Sequence, residues 1–154
     1  MINILERCNQ IQQDSDCCHS DGRICYCMNC LQDGFYSNDS DTYNCLKRLC
    51  FYTMNYGPIY VSEIYHFFDT SCLMANFHSF SKIKILSIGC GFAPDYIAIN
   101  KYISANKLHL KFDYTGYDIE ENWKYITNGI INDVPKIYDA LSGFSLSDFH
   151  IVFL

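Results

Sequence analysis

In the stretch Lys84-Ile85-Leu86-Ser87-Ile88-Gly89-Cys90-Gly91-Phe92-Ala93-Pro94-Asp95, an apolar run meets two glycines spaced by one residue and then a proline-led segment. The run through Ile88 predicts a buried strand, which Gly89-Cys90-Gly91 brings to an end. Proline suits a first helical turn, where its missing N–H costs nothing, so a helix is predicted from Pro94 to about Ile103. A strand that enters Gly-x-Gly and leaves as a helix lets the backbone pass close to a ligand. Any side chain at either glycine would fill that space.

Working outward, His109 to Gly116 predicts a second strand that stops at Tyr117-Asp118. Asp118 stands 27 positions after Gly91. At the tip of the next parallel strand, its carboxylate is placed to accept hydrogen bonds from ribose hydroxyls. A dinucleotide fingerprint calls for a third glycine three positions after Gly91, and Pro94 is there instead. The pyrophosphate-cradling reading is weakened accordingly. A turn with the small Ala93 after Gly91 suits an adenosine-containing ligand without phosphates. Further on, a helix is predicted from Glu120 to about Ile131, its acidic first turn matching the helix dipole. A short edge strand follows at Val134–Tyr138, then a last strand at Phe149–Leu154.

The unit Ile85–Asp95, with Tyr114-Thr115-Gly116-Tyr117-Asp118 after it, resembles motif I and the ribose-binding acid of class I S-adenosylmethionine-dependent methyltransferases. The run Tyr138-Asp139-Ala140-Leu141, followed by Ser147 to Val152, is similar to the same family's third strand, adenine-contacting acid and fourth strand. The resemblance covers residues 81–154, about half of the chain. It implies α/β architecture: a partial Rossmann-like parallel sheet of order 3-2-1-4 beneath a cysteine-rich, mainly helical amino-terminal cap. It implies S-adenosylmethionine as cofactor, held by Ser87, Gly89, Cys90, Gly91 and Ala93 at the bend and by Asp118 and Ile119 after the second strand. Asp139 would accept from the adenine amino group and Ala140 would donate through its backbone. Two departures stand out. Ser87 occupies a place where the family often has an acid, and Ala93 replaces the third glycine. The resemblance also implies seven strands where four are countable, so the chain reads as truncated after the fourth, lacking the acceptor-binding half. A second chain, or another copy in a homo-oligomer, would then cover the exposed fourth strand. No catalytic residue is identified, and the methyl acceptor stays open.

The first half has a different character. Of ten cysteines, eight fall between Cys8 and Cys50. Clustered thiols in a reducing compartment more often bind metal than form disulfides. A structural zinc site is expected from Cys27, Cys30, Cys45 and Cys50, with Cys18, His19 and Cys25 as substitutes that the spacing leaves open. Free buried cysteines are the plain alternative. A short helix is predicted over Ile2–Gln13, a second over Asn44–Cys50 capped by Thr42, and a stronger one starting at Gly57-Pro58. The last would lie across the cofactor pocket and direct Tyr56, Tyr60 and Glu63 inward, although an exposed Glu63 is the better reading of that residue alone. Trp123 is expected to pack on the sheet. The chain thus divides into a cap, residues 1–80, and a partial cofactor-binding domain, residues 81–154.

Composition narrows the field. Apolar residues make up 49% and charged residues 18%, a globular balance. No apolar run reaches the roughly 18 residues of a membrane span. The opening Met1-Ile2-Asn3-Ile4-Leu5-Glu6-Arg7 lacks a secretory pattern, so a cytoplasmic setting is expected. A net charge of −6 disfavours broad nucleic-acid binding, which depends on releasing counterions from phosphates. The expected function is therefore that of an S-adenosylmethionine-binding, methyltransferase-like protein. A non-catalytic, zinc-stabilised binding or regulatory module is the alternative.

Overall fold

The computed structural model describes residues 1–13, 45–131 and 145–154. Among these the architecture is mixed α/β, with an open three-stranded parallel sheet and four α-helices. The expected ligands Cys27 and Cys30, their substitutes Cys18, His19 and Cys25, the Val134–Tyr138 strand, and Asp139 and Ala140 lie outside the described residues.

Helix α1 (Ile2–Gln13) buries Ile4 and Cys8, four residues apart and so on one face. Arg7 on the same helix donates through Nη1 to the carbonyl oxygen of Asn128, and to that of Ile126 at 3.5 Å. Helix α2 differs from expectation. It runs unbroken from Leu46 to Ser71, so Pro58 lies inside it and not at a start. Proline at this place forfeits one hydrogen bond, to the Met54 carbonyl. Burial on both sides of it offsets that loss: Leu49, Cys50 and Thr53 before, Val61 and Phe68 after. Gly57 helps in a second way. A Cβ there would stand 2.5 Å from Met1 Cε and 3.3 Å from Phe92 Cζ, so the missing side chain admits the start of α1 and the loop after the first strand.

Strand β1 (Lys82–Ile88) leads through the glycine bend into α3 (Pro94–Ala105), and the chain returns in β2 (Lys111–Tyr117). Helix α4 is only Trp123–Thr127, shorter than expected, because Asn128 turns to extended geometry and Gly129 takes φ +72°. Strand β3 (Ile151–Phe153) closes the described sheet. Both β2 and β3 pair with β1 in parallel, giving the order β2-β1-β3. A central parallel strand is covered on both faces, and Ile83, Ile85, Leu86 and Ser87 are all buried. Register brings Ile88 opposite Tyr117, and Ser87 opposite Phe153. The carboxyl ends of the three strands therefore meet at one edge of the sheet. The entry to β3 is fixed by His150, whose Nδ1 accepts from the Lys84 N–H at 2.9 Å while its own N–H donates to the Lys84 carbonyl at 2.9 Å. Phe77 and Phe80 stand edge-on to its ring.

Helix α2 packs on α3, and α1 packs on α2. One apolar cluster joins all of these elements, from Ile4 and Phe68 to Ile85, Ile97, Trp123 and Ile151.

Candidate functional site

Chain direction splits at β1: α3 carries the chain to β2 on one side, and β3 lies on the other. Open parallel sheets form a crevice at the carboxyl ends of their strands where such a split occurs. Here that crevice is a cavity of about 850 Å³. Its floor is Ser87, Ile88 and the bend Gly89–Phe92, one flank is Asp118–Glu120 with Trp123, and its far wall is Tyr52, Tyr60 and Ile64 of α2.

The bend alternates left-handed residues: Gly89 at φ +71°, Gly91 at +52° and Ala93 at +59°. For the two glycines this conformation is free of strain, while alanine accepts about 1 kcal/mol of it. Turn hydrogen bonds hold the shape, from Cys90 N–H to the Tyr117 carbonyl at 2.9 Å and from Ala93 N–H to the Cys90 carbonyl at 2.7 Å. A Cβ at Gly89 would meet nothing within 4 Å, whereas one at Gly91 would touch the Trp123 ring at 3.6 Å. The slot at Gly89 is open.

Asp118 faces this bend. Its Oδ2 accepts from the Gly91 N–H at 2.7 Å and its Oδ1 from the Glu120 N–H at 2.9 Å. Each carboxylate oxygen has a second lone pair, so both can still accept from a ligand hydroxyl. Of the other expected cofactor residues, Ser87, Cys90 and Ile119 line the cavity, Ile119 being 91% exposed. Ala93 is fully buried behind the bend. Burial, and then the nearby Asp118 and Asp95 carboxylates, push the Cys90 thiol well above the ordinary thiol range, so it stays protonated.

Helix α2 does cross the cavity, but with a partly different set of side chains. Tyr60 lines it, Glu63 is exposed, and Tyr56 is 39% exposed, its ring stacked against Tyr60. Tyr52 was not anticipated. It reaches the cavity because α2 is continuous through Pro58, and its hydroxyl bonds that of Tyr60 at 3.1 Å. Trp123 is 4% exposed and packs against Phe92 and the edge of Tyr52.

Asp95 was also missed. In the first turn of α3 it is 3% exposed and lines the cavity beside Ser87. Burial raises its pKa, against the opposing effects of the Ser87 and Tyr114 hydroxyls and the Tyr96 N–H. A raised carboxyl contributes stability that is full below the ordinary value of 3.8 and is lost as pH rises through the raised value. Asp95→Asn is therefore expected to stabilise the fold at pH 7, by about 1 kcal/mol. Urea denaturation at pH 7 and again near pH 3.5 checks this, since the gain must shrink at the lower pH.

Of the expected metal ligands, Cys45 and Cys50 are buried. The neighbour that hydrogen-bonds Cys50 is Cys8 of α1, which was not in the expected set. That contact draws the Cys8 thiol down and pushes Cys50 up. Among the described residues no three His, Cys, Asp or Glu side chains converge as a metal set. No described helix is long and apolar enough to cross a membrane.

Comparison of the chain with protein-family models, curated proteins and solved structures gave no significant match.

Proposed function

We propose that the chain binds S-adenosylmethionine at the carboxyl edge of a partial Rossmann-like sheet, as a methyltransferase-like protein. The observation that carries this reading is the Asp118–Gly91 contact at 2.7 Å, beside a Gly89 whose missing side chain faces open space. A carboxylate anchored to the bend is rigid, and its remaining lone pairs suit a pair of vicinal hydroxyls. The adenosyl group then has a slot, and its sugar has an acceptor.

Charge supports the choice of ligand. The described lining contains three carboxylates, Asp95, Asp118 and Glu120, and no Lys, Arg or His. Such a cavity repels the two phosphates of a dinucleotide and attracts a sulfonium cation. Tyr52, Tyr60 and Trp123 add aromatic rings to the lining, which favour a cation further. The sulfonium already activates its methyl group, so the protein's part in transfer is alignment and exclusion of water.

Titration calorimetry with S-adenosylmethionine, S-adenosylhomocysteine and NAD tests the reading. Binding of the first two at micromolar concentration, with no heat from NAD, is the expected result. Preference for NAD would replace the reading with a redox one. No heat from any of them would favour a non-catalytic module.

A further inference from the structure

Beneath the glycine bend a carboxylate is buried with no cation against it among the described residues. Asp95 Oδ1 accepts from the Tyr114 hydroxyl at 2.8 Å and from the Tyr96 N–H at 2.9 Å. Its second oxygen, Oδ2, is buried and has no hydrogen-bond partner. Among the described residues the groups that act on this carboxyl are the Ser87 and Tyr114 hydroxyls and backbone N–H donors, with no Lys, Arg or His. Buried carboxylates are ordinarily paired with a cation, and one left unpaired costs stability. Support of Tyr114 accounts for Oδ1 alone. Among the described residues the only other side chain acting on this carboxyl is the uncharged Ser87 hydroxyl, so its charge is left unmatched where the residue lines the cavity next to Ser87.

The missing cation can come from the ligand. S-adenosylmethionine carries an α-ammonium on its amino-acid part, at the opposite end from the adenine. Asp118 stands at the end of β2, and Asp95 stands below the bend at the start of α3. A ligand whose ribose lies on Asp118 and which crosses the bend brings its amino-acid part to the floor made by Ser87 and Asp95. Ser87, at the end of β1, offers a hydroxyl and no charge. We propose that Asp95 is the receptor for the ligand's α-ammonium group, so that the first turn of α3 supplies the charge that the end of β1 lacks. This assignment rests on the adenosyl-ligand reading and adds a selectivity to it: the site prefers ligands with a free amino-acid part.

Three ligands separate the possibilities. S-adenosylhomocysteine has the complete amino-acid part, its deaminated analogue lacks only the ammonium, and 5′-methylthioadenosine lacks the amino-acid part altogether. The native chain is expected to bind S-adenosylhomocysteine about ten to a hundredfold more tightly than either of the others, the range for one charged hydrogen bond in a buried site. In Asp95→Asn that preference over the deaminated analogue should fall to about twofold or less, while affinity for 5′-methylthioadenosine is retained. Equal affinity of the native chain for S-adenosylhomocysteine and its deaminated analogue overturns the assignment, with no variant needed. A variant that keeps the native preference, or that loses affinity for all three ligands alike, overturns it as well. Failure of the native chain to bind even 5′-methylthioadenosine would instead overturn the adenosyl reading, and this assignment with it.

Discussion

Asp118→Ala is expected to weaken S-adenosylhomocysteine binding by a hundredfold or more while the chain keeps its fold. The carboxylate is held in place by the Gly91 N–H of the bend at 2.7 Å and by the Glu120 N–H at 2.9 Å. Each hydrogen bond from a ribose hydroxyl to an ionised acceptor contributes about 1.5–3 kcal/mol. Losing two of them removes about 3 kcal/mol or more, which is at least two powers of ten in affinity. The cost to the fold is smaller, because the Gly91 and Glu120 N–H groups left behind lie at a cavity wall where water can reach them. Calorimetry and a thermal melt on the same sample separate the two effects. Unchanged affinity would remove Asp118 from the site. A lost melt would show that the carboxylate is needed by the bend before any ligand arrives.

The second large effect falls on stability. Gly116→Ala puts a methyl group on β2 where a Cβ would lie 2.8 Å from Cys90 Sγ and 3.0 Å from Tyr114 Cε1. Neither neighbour can easily yield. Cys90 is 4% exposed and its backbone is tied to Tyr117, while the Tyr114 hydroxyl is held by Asp95. Overpacking of this kind costs about 1–3 kcal/mol, or about 3–10 °C in melting temperature for a domain of this size. The larger figure is expected, because β1, the bend and β2 meet here. A melt within about 1–2 °C of the native value would show that the bend can shift away from β2, contrary to the tight contact described.

The strand–bend–helix unit was legible because its signals are local. A run of aliphatic residues, two glycines one apart and a proline at the next turn each constrain the backbone through their own chemistry. Asp118 was legible for the same reason, as an acid at the tip of the following strand. What escaped notice depends on tertiary neighbours. Pro58 carries the same local signal as Pro94, yet it sits inside α2, because burial of Leu49, Thr53, Val61 and Phe68 offsets one lost hydrogen bond. Tyr52 follows from that, since its ring reaches the cavity only if the helix is continuous. Asp95 reads in sequence as an ordinary acid in a first helical turn. Its burial is set by Ser87 on β1 and Tyr114 on β2, 8 residues before it and 19 after it. The thiols show the same limit. Cys8 and Cys50 are 42 residues apart in the chain, and only the packing of α1 on α2 makes them neighbours.

A second crevice, of about 710 Å³, opens between α2 and α3 and is lined in part by Pro58, Tyr65 and Lys101. Its described lining has no carboxylate side chain and shares no residue with the bend, so it serves as an internal control for where a ligand settles. The most direct measurement is a backbone amide NMR titration with S-adenosylhomocysteine. The account predicts saturable shifts concentrated at Gly89, Cys90, Gly91, Asp118 and Glu120, with Lys101 and Ser104 unmoved. Saturable shifts centred on the second crevice, or none at the bend at millimolar ligand, would contradict it.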